Sequence, residues 1–218
     1  MKRTYDDAPK LLKDYLVYLQ IVKNRSELTV LNYYTDLRLF FRFYKIKTGR
    51  ASDDPKEFQN ITIADITESD IKSVDLMMAQ DFLIYTKNEK DNHPKARYRK
   101  GVALRQFFKY LTNNKALFEV SPLANLELPT PKVALPKYLT LEESVDMLSN
   151  IETPDQKRDY CIITFFLNCG MRLSELVGIN FTDIRTTHDH NGKEIWTLKV
   201  IGKGNKERII YLNDACVN

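Results

Sequence analysis

The 218-residue chain has little cysteine, only a small excess of positive charge and no long apolar run. Its three cysteines, Cys161, Cys169 and Cys216, lack metal-ligand spacing, and their odd number gives no disulfide framework, which fits a reducing compartment. Cys161 and Cys169 fall in an apolar helical run and are expected to be core thiols. No stretch is long enough to span a bilayer, and the first residues lack the apolar centre of a signal peptide, so a cytoplasmic location is expected. The formal charge is +4, a mild bias toward polyanions that decides nothing alone. At 43% hydrophobic and 28% charged, the composition is that of an ordinary globular protein.

The most informative stretch is Asn168-Cys169-Gly170-Met171-Arg172-Leu173-Ser174-Glu175-Leu176-Val177. An apolar helical run from Thr153-Pro154 leads into it. Gly170 suits a left-handed helix stop, since a residue without Cβ adopts positive φ cheaply. Ser174 is then expected to cap a second short helix. Arg172 would occupy the joint between the helices, near backbone donors that favour an anion, with Glu175 orienting it. Two readings stand at this point: a fixed phosphate clamp, or an ion pair that joins two helices.

A second stretch, Val200-Ile201-Gly202-Lys203-Gly204-Asn205-Lys206-Glu207-Arg208-Ile209-Ile210, reads as strand, glycine-rich turn, strand, with Lys203 at the tip. It is not a nucleotide-binding P-loop, because no Ser or Thr follows the lysine and a strand comes next. The alternative reading of Lys203 is a solvated turn lysine.

Together these heptads resemble the tyrosine recombinase (phage integrase) family, in its Xer-like branch. Gly170 to Leu176 resembles the family's first arginine box, and Gly202 to Arg208 its catalytic-lysine hairpin. The resemblance implies roles: Arg172 stabilises charge on the non-bridging oxygens of a scissile phosphodiester, Lys203 protonates the leaving oxygen, and Glu175 supports the site. No cofactor and no metal is implied. His188 and His190 flank a turn without further ligands and are not expected to bind a metal.

The first part of the chain is expected to be all helical. Apolar residues recur at three and four residue steps over 9–23 and 28–46, with Ser26 as a cap between them. Short apolar helices follow, from Ser69 or Ser73 to Lys87 and from Lys95 to Asn113. In the last, Tyr98, Val102, Leu104, Phe107, Phe108 and Leu111 are assigned to the core, and Arg97, Arg99, Lys100, Arg105 and Lys109 to the outside. A basic stripe of this kind is either a solvated face or a phosphate-contacting one. The segment resembles the last helix of the family's SAM-like core-binding domain, and Ser26, Thr29, Tyr33, Asp36-Leu37 and Phe40 match its second helix. The resemblance therefore implies DNA contacts by Lys95, Arg97, Arg99, Lys100, Arg105, Thr29 and Tyr33.

Four prolines within 121–137 mark a linker, after which Thr140-Leu141-Glu142-Glu143 reads as a capping box. Asn191-Gly192 marks a hairpin between strands 181–188 and 194–200, and 206–212 supplies a third strand. The expected architecture is mainly α. A four-helix SAM-like DNA-binding domain (1–120) and the linker (121–137) precede the first part of a mixed α+β catalytic domain (138–218) with a three-stranded antiparallel sheet. The expected partners are double-stranded DNA and other recombinase protomers, with no membrane and no small-molecule substrate. Beside the family's pattern the chain has no His-x-x-Arg, and Tyr160 and Tyr211 do not match the position of the nucleophile. On the resemblance, the chain reads as the N-terminal two-thirds of a site-specific recombinase, inactive alone. The alternatives are a non-catalytic DNA-binding fragment or regulator at recombinase sites, and an unrelated helical interaction protein.

Overall fold

A computed structural model describes residues 5–131, 135–202 and 204–217. The chain forms two compact units, Met1–Ala134 and Leu135–Asn218.

The first unit is helical. α1 (Lys10–Val17) runs directly into a π-helical segment (Tyr18–Val22) instead of continuing regularly to Lys23. α2 (Glu27–Lys47) starts at Ser26, whose Oγ accepts the Thr29 N–H at 3.3 Å. The region expected to hold one helix before Lys87 holds two, α3 (Glu68–Lys72) and α4 (Leu76–Asn88). Each has its own cap: Thr67 pairs reciprocally with Asp70, and Asp75 accepts the Met78 N–H at 2.8 Å. α5 (Pro94–Lys115) begins with proline at its first position, where a missing N–H costs nothing, and ends at Ala116 in a left-handed conformation.

These helices close over a core rich in aromatic rings, in which Tyr15, Phe40, Phe41, Phe82, Phe107 and Phe108 are fully buried. Phe40 and Phe82 meet edge to face at 5.3 Å between ring centroids, as do Phe41 and Phe107 at 6.1 Å. The residues after α5 were expected to be an extended connector. Leu123 and Leu126 instead enter this core, and Leu128 lies so close to α5 that a side chain at Gly101 would overlap it. The apolar residues between the prolines override the extended reading, because their burial removes surface from water.

The second unit holds α6 (Leu141–Ser149), α7 (Gln156–Cys169), α8 (Leu173–Val177), a three-stranded sheet and α9 (Asp214–Val217). The capping box read at Thr140 is present: Glu143 N–H donates to Thr140 Oγ1 at 3.1 Å, and Thr140 N–H donates to Glu143 Oε2 at 2.7 Å. The strands β1 (Ile184–His188), β2 (Glu194–Gly202) and β3 (Lys206–Leu212) pair antiparallel in sequence order. Residues Phe181–Asp183 form a 3-10 turn rather than the start of β1, because Asp183 accepts the Asn180 N–H at 2.9 Å and folds the chain back. In the β1–β2 turn, Asp189 Oδ1 accepts the N–H groups of Asn191 and Lys193, at 2.8 and 2.9 Å. Phe165, Met171, Leu198 and Val200 form a small core. Cys161 is exposed rather than buried, and Cys169 is half-buried with its Sγ 3.8 Å from that of Cys216. Periodicity places a residue on a helix face but does not say what covers that face. No helix among the described residues is long and apolar enough to cross a membrane.

Candidate functional site

In the second unit, α7 stops at Gly170 with φ of 56°, the left-handed end expected there. Met171 turns into the small core and fixes the chain on either side of the next residue. Arg172, at φ −80° and ψ 152°, is the cap residue of α8, so Ser174 lies inside the helix rather than capping it. The carboxylate of Glu175 does the capping: Oε2 accepts the Arg172 backbone N–H at 2.9 Å. Because α8 has only five residues, attraction for an anion rests on the guanidinium rather than on a long macrodipole.

Glu175 organises the site. Its side chain is 1% exposed, yet it receives four hydrogen bonds from two arginines. Besides the Arg172 backbone, Oε1 accepts from Arg172 Nη1 at 2.7 Å and from Arg208 Nη1 at 2.7 Å, while Oε2 accepts from Arg208 Nη2 at 2.8 Å. Arg208 on β3 thus grips the carboxylate in a two-pronged pair and ties the sheet to the arginine box. The Arg208 pair and the Arg172 hydrogen bonds hold the Glu175 carboxyl well below its usual range, at about 2. Arg172 itself remains 68% exposed, with one nitrogen anchored and the rest of its planar fork turned outward.

The hairpin belongs to the same site. A Cβ at Gly202 would sit 3.1 Å from Glu175 Oε1, so the end of β2 lies directly against the anchoring carboxylate. Gly202 pairs with Lys206, and Gly204 and Asn205 both adopt positive φ, 77° and 59°. Lys203 lies outside the described residues. Arg208 has no role assigned from sequence, and Gly202 is read there only as a turn glycine that permits close approach, not as the contact to Glu175. No local signal points to Arg208, because Glu175 already has a cation three residues away in Arg172.

In the first unit, α2 and α5 border an open groove of about 660 Å³. It gathers Thr29, Tyr33 and Asp36 from α2 with Lys95, Tyr98 and Arg99 from α5. Of the seven residues expected to contact DNA, four therefore share one surface, while Arg97, Lys100 and Arg105 do not line it. Lys95 is exposed, and Arg97 and Arg105 are half-buried. Thr29 shares a hydrogen bond with Ser26 through their hydroxyls at 2.9 Å.

Lys100 corrects the expected outside face. It is buried, and its ammonium donates to Asn92 Oδ1 at 2.6 Å and lies 3.9 Å from Asp36. Tyr98 takes the reverse correction: assigned to the core, it is 41% exposed in the groove wall. The cause is the buried carboxylate of Asp36, which draws cations inward. Its Oδ2 accepts from Arg99 Nη1 at 2.6 Å across 63 positions of sequence. Burial pushes the Asp36 carboxyl up to about 6, against the pull of Arg99 and Lys100. Burial also moves the Lys100 ammonium below its ordinary range.

The model of the phage integrase N-terminal SAM-like domain matches residues 12–115, and that of the phage integrase family matches 137–218. Tyrosine recombinase XerC of Caldanaerobacter subterraneus subsp. tengcongensis is 46% identical over 96% of this chain. Tyrosine recombinase XerD of Listeria monocytogenes serotype 4b is 30% identical over 93%. The chain spans 56% and 60% of these two relatives, so it corresponds to little more than half the length of each. Among solved structures, a lambda integrase dimer bound to a core site aligns with a TM-score of 0.62 at 15% identity, over 94% of this chain and 63% of that one. XerH site-specific recombinase in a post-cleavage complex with its difH substrate aligns with a TM-score of 0.58 at 22% identity, over 94% of this chain and 54% of that one. Those two likenesses speak for the fold, and the sequence matches speak for descent. With both units matched in order and a 46% identical relative along nearly its whole length, the chain belongs to the tyrosine recombinase (phage integrase) family and is Xer-like in sequence.

Proposed function

We propose that the chain binds duplex DNA with its helical unit and brings the phosphate-stabilising part of a site-specific recombinase centre to the scissile linkage. The observation that carries this reading is Arg172, anchored on one side by a buried carboxylate and exposed on the other. A guanidinium held in this way is organised before an anion arrives, and little reorganisation is needed when charge develops on the non-bridging oxygens. Glu175 positions it. Lys203, carried on the hairpin that begins at Gly202, would act as the acid for the leaving 5′-oxygen. In the family the reaction passes through a 3′-phosphotyrosine, and neither Tyr160 on α7 nor Tyr211 on β3 is assigned as its nucleophile.

Residues 1–120, with the 121–128 segment packed on them, form the proposed DNA-binding domain. Residues 138–218 form part of the catalytic domain. Lys95, Arg99, Thr29 and Tyr33 meet DNA along the α2–α5 groove, with Arg97 and Arg105 as flanking phosphate contacts. The DNA-bound XerH and lambda integrase structures support duplex DNA as partner, and the lambda integrase dimer supports other protomers as further partners. The bacterial recombinase relatives support a cytoplasmic setting. Location of a phosphodiester by basic residues makes affinity fall with salt, by about 0.9 in log-log slope for each phosphate neutralised. The test is a duplex titration at several salt concentrations with the native chain and with a Lys95→Glu, Arg97→Glu, Arg99→Glu variant. A flatter slope in the variant is expected. Affinity without salt dependence, or an unchanged slope, defeats the reading. A nicked suicide duplex is expected to yield no covalent adduct on this chain alone, and an adduct on Tyr160 or Tyr211 would overturn that assignment.

A further inference from the structure

Two cysteines of the second unit have no place in the function proposed above. Cys169 ends α7 and Cys216 lies in α9, 47 positions later, yet their Sγ atoms are 3.8 Å apart. The backbones that carry them are tied beside the thiols. Asn213 Nδ2 donates to Asn168 Oδ1 at 2.7 Å, and Cys216 N–H donates to Asn213 O at 2.9 Å. Cys169 also packs against the small core of Phe165, Met171, Leu198 and Val200. Pairing and packing around the two thiols therefore hold them together before any bond forms between them.

The two sulfurs differ in access. Cys216 lines an open groove of about 580 Å³, with Lys157, Tyr160, Cys161 and Phe165 among its other walls. Cys169 does not line that groove and meets it only through Cys216. Burial and the neighbouring Cys216 push the Cys169 thiol up to about 12, so it keeps its proton in neutral solution. The arrangement gives an outer thiol within reach of a small reagent and an inner thiol placed against the outer one. A disulfide bond is about 2.05 Å long. The sulfurs must therefore close by about 1.7 Å, which rotation about the two Cα–Cβ bonds supplies. Cys161 lies two helical turns before Cys169 on α7, about 12 Å along the axis, so it does not compete for that partner.

We propose that Cys169 and Cys216 are a reversible dithiol–disulfide pair that locks the end of α7 to α9 when the surroundings turn oxidising. The oxidant is a low-molecular-weight disulfide of the glutathione class. Cys216 gives up its proton and attacks one sulfur of that reagent, which forms a mixed disulfide and releases one small thiol carrying the proton. Cys169 then attacks the Cys216 sulfur, and its proton passes to the second small thiol as that leaves. Two electrons from the pair reduce one small disulfide to two thiols, and an excess of small thiol reverses both steps. The bond falls immediately before Gly170 and Arg172, so it fixes the joint that sets the arginine.

The full chain is equilibrated in mixtures of reduced and oxidised glutathione, quenched with acid, and mapped by mass spectrometry after alkylation of the remaining thiols. The expected product is an intramolecular bridge between the Cys169 and Cys216 peptides, with Cys161 alkylated. The bridge should form in Cys161→Ser and be lost in Cys169→Ser and Cys216→Ser, with circular dichroism checking that each variant folds. If either of the last two unfolds, the peptide maps of the native chain and of Cys161→Ser decide. Closure should be favoured at least about tenfold over the same chain in urea, because the fold brings the sulfurs together beforehand. On oxidation the urea midpoint of Trp196 fluorescence should rise by about 1 M or more, since a bridge over a loop of this length restricts the unfolded chain. Glutathione adducts without the bridge, a bridge to Cys161 or between chains, or closure no better than in urea would each overturn the pair. A bridge that leaves the urea midpoint unchanged overturns the lock. None of these readouts involves DNA, so their outcome is independent of the function proposed above.

Discussion

Replacing Asp36 by asparagine is expected to stabilise the helical unit at pH 8 by up to about 3 kcal/mol, although it deletes an ion pair. The carboxylate is 3% exposed, and only one of its oxygens is hydrogen-bonded. Lys100 stays 3.9 Å from the other, too far to donate. Burial therefore outweighs both cations and moves the carboxyl from 3.8 to about 6. A raised folded-state value means that the folded chain binds this proton more tightly than the unfolded chain. The stability that comes with that proton is complete below about 3.8 and is lost as the pH rises through about 6. At about 1.4 kcal/mol per pH unit, the charged form costs about 3 kcal/mol at pH 8. Asparagine keeps the shape of the protonated acid and avoids that cost. The Arg99 side chain is 48% exposed, so water replaces most of what it loses. Lys100 keeps its hydrogen bond to Asn92, and the attraction its buried ammonium loses at 3.9 Å is subtracted from this upper bound. Urea unfolding followed by far-ultraviolet circular dichroism at pH 8, 6 and 5 measures it. The gap between variant and native chain should shrink to about half by pH 5. An asparagine variant less stable than the native chain at pH 8, or a gap independent of pH, would refute the reasoning.

The remaining predictions concern the second unit and the core. Arg208→Leu removes the two-pronged partner that holds the Glu175 carboxyl down at about 2. A depressed folded value gives stability that is present above the usual glutamate range and lost as the pH falls toward about 2, so acid unfolding of the variant should begin at higher pH. Trp196, the single tryptophan, lies in β2 and reports this unit by fluorescence; Arg208→Lys should restore part of the loss, and an unshifted acid midpoint would count against the clamp. Gly202→Ala places a methyl group 3.1 Å from Glu175 Oε1, and the same fluorescence should show a loss of about 1–3 kcal/mol, with no loss meaning that the carboxylate yields freely. Phe107→Ala, at a fully buried ring, should cost about 3–5 kcal/mol in urea unfolding, and a cost under about 1 kcal/mol would show that the core collapses around the gap.

Local features were legible before any coordinates. Gly170 takes the left-handed conformation expected of it, Ser26 and Thr140 cap α2 and α6, and the glycine-rich heptad is a hairpin turn. Each depends on a few neighbouring residues, so the sequence carries the whole cause. Ser174 fails as a cap for a local reason too: Glu175 reaches the Arg172 N–H first and moves the helix start back by two residues. The apolar period also marked most of the buried rings, because a 3.6-residue repeat fixes which side of a helix they share.

The chain by itself determined two things: where most helices and strands begin and end, to within a turn, and which two heptads bear cations. Tertiary structure alone decided the fate of individual charges. Asp36 is buried by neighbours distant in sequence, pairs with Arg99 in the groove wall and draws Lys100 away from the open face. Glu175 becomes the shared anchor of Arg172 and Arg208 only because β3 passes α8, 33 positions further along. Leu123 and Leu126, set among prolines, become core, and Leu128 lies against Gly101 of α5. Burial and long-range pairing depend on which surfaces meet, and a linear order of residues does not contain that.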